Sequence, residues 1–327
     1  MHAHIEPALR SWQAAWAANP THSLERPNPH GVGPLSADCI PLLDLAYVRL
    51  FVSFGTAKEA FWQRDFDAMS EELARGSEFM QHADYSEGNS DTNNTANGSG
   101  ESPEPAPALR SQQPNSVAHS NNNQAQSSKR ERQLRKAAFY AADSLSMADK
   151  LGVTFADFTS RELPLQAGLC TFDCAQILAE WVSTVQERVG RYIGVLGRDN
   201  IDFANVPAIM LLEDEDVKLL GKIDEILHRA EAKMTVAINN MPGSDQMSAM
   251  QKLPSFSNKG FGSKILTVTA HMFERNEIWP GKSTRARMIF LTLTNEVFRT
   301  MAHGLDIQAD HMSVRAENST MQAGQSH

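Results

Sequence analysis

Cys170 and Cys174 stand one helical turn apart, a spacing that can place two thiolates on one metal ion or side by side for redox work. A metal needs further ligands, and the pattern puts no His, Asp or Glu on that face nearby. Both cysteines also belong to an apolar stripe, where a free thiol behaves as a small hydrophobe, so core packing is their expected role. The densest acidic run is Glu213-Asp214-Glu215-Asp216. A site that clamps a diphosphate through metal ions needs carboxylates repeating at one-turn intervals on one face. The positions a turn beyond Asp214 are Val217 and Lys218, and downstream Asn295-Glu296 is followed by Arg299 and His303 where further ligands would stand. Acidic side chains at a helix start meet its dipole favourably, which is the plainer reading of the run.

Other chemical patterns fail in the same way. Gly260-x-Gly262-Ser263-Lys264 lacks the full spacing of a phosphate loop, and no strand precedes it, so it reads as a flexible lead into a helix. The eleven histidines include no His-Glu-x-x-His, and no Gly-x-Ser-x-Gly elbow occurs. The three cysteines, Cys39, Cys170 and Cys174, cannot assemble a zinc finger or zinc cluster. No residue is therefore assigned a catalytic, cofactor-binding or metal-ligating role. The one basic cluster, Lys129-Arg130-Glu131-Arg132-Gln133-Leu134-Arg135-Lys136, reads first as a solvated helix face. Its functional alternative is a patch for nuclear import or an acidic partner.

The elements that would carry these residues are helices. Cys170, Cys174, Ile177, Trp181, Val185, Val189, Tyr192 and Leu196 recur at steps of three and four, which predicts one long buried helix after Pro164. Ile40, Leu43, Tyr47, Phe51 and Phe54 predict a central helix ended by Gly55, and Trp62, Phe66, Met69, Leu73 and Met80 predict the next. Leu134, Ala138, Ala141, Leu145 and Ala148 mark another. Leu220, Ile223, Leu227, Met234 and Ile238 follow, then Ile265, Val268 and Met272, then Ile289, Leu293, Val297 and Met301, with Gly304 as the cap of the last. Ile265 to Thr269 is the only β-branched run, and its apolar spacing favours helix. The expected fold is all-α.

The chain has 327 residues, 41% of them hydrophobic, enough for a buried core. From Asp84 to Ser128 it is Asn, Ser, Gly, Gln and Pro with little that is large and apolar, so residues 84–128 are expected to be a disordered loop inside one domain. A weaker break runs from Met241 to Gly262. The expected organisation is an N-terminal segment 1–36 with a short helix, a helical domain 37–305 and a disordered tail 306–327. A net charge of -9 argues against a dominant nucleic-acid surface, and no run is long enough to span a membrane.

Three stretches, Ile40 to Met69, Pro164 to Leu196 and Asp202 to Leu227, resemble the regulatory region of fungal-specific transcription factors, and the closest likeness is to members with two-cysteine two-histidine zinc fingers. The likeness covers roughly Ala37 to Met80 and Lys129 to Leu305, and Trp62-Gln63-Arg64-Asp65 is similar to a recurring family element. It implies a nuclear, non-enzymatic regulatory domain that contacts the transcription machinery or co-regulators, or binds an effector among its central helices. A homodimer is one assembly it allows. DNA would be reached only through zinc fingers missing from this chain, so zinc is expected there and no cofactor here. The alternative from another class is an all-helical lipid- or terpenoid-processing enzyme.

Overall fold

The computed structural model describes residues 2–21, 30, 35–75, 131–145, 165–198, 212–239, 247, 258–275 and 285–321. Among these the elements are helices and no strand occurs: α1 (His2–Ala17), α2 (Leu35–Phe51), α3 (Gly55–Trp62), α4 (Phe66–Arg75), α5 (131–145), α6 (Leu165–Ile193), α7 (Asp214–Asn239), α8 (Phe261–Arg275) and α9 (Arg285–Met321). The all-α expectation holds. The 84–128 segment and most of the 241–262 break lie outside the described residues.

α6 forms the centre. From Cys170 to Gln186 every side chain except the half-exposed Thr184 is buried, because α2, α8 and α9 pack around it. α8 and α9 also pack on each other, α4 lies on α9, α3 on α4, and α7 on α8. The predicted stripe is buried from Cys170 through Val189 and again at Leu196, but the Tyr192 ring is 56% exposed. It lies one residue before α6 ends, with the Arg191 guanidinium 4.6 Å from its ring centre. The stripes of α5, α7 and α8 are buried at Leu134, Ala138, Ala141 and Leu145, at Leu220, Ile223 and Leu227, and at Ile265, Val268 and Met272.

Two boundaries differ from the sequence reading. α2 ends at Phe51, and Gly55 opens α3 instead of closing α2. The stripe from Trp62 to Leu73 is divided between α3 and α4. Arg64 takes a positive φ of 62°, and the N–H groups of Arg64 and Asp65 return to the carbonyls of Phe61 and Ala60, both at 3.0 Å. That is the paired closure of a helix C-terminus usually made with glycine. Asp65 then caps α4, its carboxylate accepting the Ala68 N–H at 3.0 Å. The break leaves Trp62 63% exposed.

The tail is a correction. Residues 306–321 continue α9 with no break, and Gln308, Ala309 and Met312 are buried on α6 and α8. Gly304 is no cap. It lies inside α9 where the helix meets α4, and a Cβ there would sit 3.1 Å from the Phe66 ring.

Candidate functional site

The two thiols are apolar neighbours, as their stripe position suggested. Cys170 and Cys174 are 1% and 0% exposed; burial pushes the Cys170 thiol up to about 12 and Cys174 well above the usual range. A thiol held neutral is not a ready nucleophile. Among the described residues no group of His, Cys, Asp and Glu is arranged to hold a metal. Close by, the half-buried Arg49 and Lys58 converge on buried Asp173, at 2.5 and 2.9 Å from its Oδ2. Both cations also lie over the Phe54 ring, 4.5 and 5.7 Å from its centre. Asp44, on α2, is buried with no hydrogen-bond partner for Oδ2 among the described residues, and desolvation raises its carboxyl to about 8, reinforced by Asp143 and opposed by Lys222.

The acidic run is divided by its surroundings. Asp216 is fully buried, and its Oδ2 accepts Arg188 Nη2 at 2.8 Å and Arg135 Nη2 at 3.3 Å. Arg135 Nε sits 2.7 Å from Oδ1 but off the hydrogen-bond line. Oδ2 also accepts the Glu213 N–H at 3.2 Å, so Asp216 closes the start of α7 from its third helical position. Glu213 takes Arg135 Nη1 at 2.5 Å, and that hydrogen bond holds its carboxyl below the usual range. Glu131 pairs with Arg188 from the other side. The dipole role is therefore only part of the answer. The basic cluster is likewise not wholly a solvated face, since Arg135 is buried in the seam joining α5, α6 and α7 while Arg132 and Lys136 remain exposed.

A second polar seam joins α6 to α9. Gln176 Nε2 donates to Gln308 Oε1 at 3.1 Å, and Gln308 Nε2 donates to Glu180 Oε1 at 3.3 Å. Arg315 then bridges Glu180 Oε2 at 3.0 Å and Glu187 Oε1 at 2.8 Å, and Gln186 reaches Ser319 Oγ at 3.2 Å. Burial pushes the Glu180 carboxyl up while Arg315 pulls it down. The spacing 301, 305, 308, 312, 315, 319 carries the stripe of α9 past Leu305, with polar side chains at positions a hydrophobic count passes over.

Among the described residues these seams are held chiefly by their own ion pairs and hydrogen bonds. Ser263 Oγ donates to the Ala309 carbonyl at 2.9 Å and Lys264 Nζ to the Gly197 carbonyl at 2.7 Å, so the glycine-rich start of α8 is engaged in packing and no phosphate cradle forms. Two partly open pockets among the described residues measure about 20 and 10 Å³. The larger lies among Ser183, Gln186, Phe261 and Ser313; the smaller is lined by Leu145, Leu178, Ile223, Ile226, Leu227 and Ile265. Neither is larger than the space of one water molecule. Among the described residues no helix is long and apolar enough to cross a membrane.

A family model for the fungal transcription factor C-terminal domain matches residues 103–289, more than half of the chain. The chain belongs to that family. No curated protein and no solved structure matches it. The match takes in α5 to α8 and the first residues of α9, so both arginines of the Asp216 seam and the whole of α6 lie within the fungal transcription factor domain. α1 to α4 precede it. The WQRD element at Trp62 to Asp65, singled out for its likeness to the family, is the turn that ends α3 and starts α4. Arg64 meets Glu296 only across an exposed 3.4 Å pair, which contributes little beside the turn itself.

Proposed function

We propose that this domain regulates RNA polymerase II transcription in the nucleus through contacts with co-regulators or the transcription machinery, including a second copy of the chain. DNA reading falls to zinc fingers, for which the three cysteines here provide no ligand set. The observation that carries the reading is the family match over α5 to α8. The pockets beside Ser183 and beside Leu227, about 20 and 10 Å³, are each too small for an effector, which needs roughly 300 Å³ or more. Lipid or terpenoid chemistry has no support, because Asp216 and Glu213 are both engaged by Arg135.

The role without DNA contact is tested by selection from a random oligonucleotide pool with the purified chain at physiological salt. No defined sequence should be enriched. Recovery of one would overturn the assignment of DNA reading to another segment.

A further inference from the structure

α1 is held differently from the helices around it. It packs chiefly on α2, over a small cluster of Leu43, Tyr47 and Leu50 that is separate from the main core, with Leu9 as its anchor. Tyr47 stacks on Tyr140 of α5 beneath it, ring centres 4.4 Å apart. The polar contact is slight, the Tyr47 hydroxyl reaching Gln13 Oε1 only at 3.5 Å. The docked side of α1 is mixed, with Leu9 and Trp16 half-buried beside Glu6. Glu6 and Arg10, paired one turn apart, bear on the Tyr47 and Tyr140 hydroxyls. Ile5 and Trp12 stand one turn before and one turn after Leu9 on the same side of α1, yet they remain 37% and 43% exposed.

The helix is also weak in itself. Pro7 lies inside it, where the ring removes one backbone hydrogen bond and crowds the preceding turn. Sixteen residues with such a break do not hold helical form alone in water, so α1 exists by virtue of Leu9 and its neighbours. Its release uncovers Leu43, Tyr47 and Leu50 while leaving every contact of α6 with α8 and α9 in place. Regions of few buried contacts open well below the free energy of global unfolding.

We propose that α1 is a releasable strap, which closes over the Leu43–Tyr47–Leu50 shelf and opens by its own local equilibrium while the helices around α6 stay folded. What the strap covers is the apolar face of α2 at Leu43, Tyr47 and Leu50.

Hydrogen exchange of the full chain, followed segment by segment, tests it. The α1 amides should exchange far faster than those of α6 and α8. Pro7→Ala should raise α1 protection by roughly tenfold or more, and Leu9→Ala should lower it by roughly tenfold, both with α6 and α8 unchanged. Leu9→Ala should also increase the fluorescence of an apolar dye at a temperature where the core is folded. The proposal is overturned if α1 exchanges only with global unfolding, if Pro7→Ala leaves its protection unchanged, or if Leu9→Ala lowers protection in α6.

Discussion

Glu180 of α6 and Arg315 of α9 form an ion pair of 3.0 Å in which the carboxylate is 4% exposed and a second oxygen is held by Gln308. This pair makes the last third of α9 part of the core. Removing Arg315 leaves the buried Glu180 carboxylate without its cation, which typically costs about 3 to 5 kcal/mol, whereas removing Glu180 leaves the partly exposed Arg315 still paired with Glu187. Arg315→Met should therefore destabilise the domain by about that amount in chemical unfolding, and Glu180→Leu by less. Glu180→Leu with Arg315→Met should lose clearly less than the two single changes added together, since an apolar pair leaves no stranded charge.

Asp44 sets the sign of the pH response. Its folded carboxyl is raised to about 8 by burial, so between about pH 4 and pH 8 the folded chain holds a proton that the unfolded chain releases. That stability is present in full below the ordinary carboxylate range and is lost as pH rises through 8. Asp306, raised to about 6 by burial and the nearby Glu274, adds to the same trend at lower pH. The thermal midpoint should fall from pH 5 to pH 8, and in Asp44→Asn the fall should be shallower. An unchanged slope in that variant would show that Asp44 is ionised in the fold.

Trp181 is fully buried between Ile177 and Val185 on α6, and its Nε1 has no hydrogen-bond partner among the described residues. Its contribution is volume and contact alone. Trp181→Ala should cost about 3 to 5 kcal/mol, and Trp181→Phe distinctly less because no hydrogen bond is lost. Any regulatory defect of Trp181→Ala should follow the loss of folded protein. A stable Trp181→Ala chain that fails only in regulation would place the indole in a binding site.

The helix faces were legible because burial of Ile177, Leu220 or Ile265 leaves a periodic apolar mark in the sequence. Buried polar residues leave none. Gln308 and Arg315 occupy stripe positions of α9 but have the look of surface residues without Gln176 and Glu180 opposite them, so the apolar pattern stops at Leu305 while the helix continues. Arg135 and Asp216 were hidden in the same way, one inside a basic cluster and the other inside an acidic run. The turn at Arg64 leaves no sequence mark because its left-handed residue is not glycine, and Gly304 has the look of a cap because close approach to Phe66 leaves no local signal.

The central claim is that these helices form a regulatory domain acting on transcription through protein contacts. It is tested most directly by fusing the chain to a heterologous sequence-specific DNA-binding domain in a fungal cell and measuring output from a reporter carrying that domain's sites. The fusion should shift reporter transcription clearly up or down relative to the DNA-binding domain alone, with the shift lost in Trp181→Ala. Reporter output indistinguishable from that of the DNA-binding domain alone, with the fusion folded and nuclear, would contradict it.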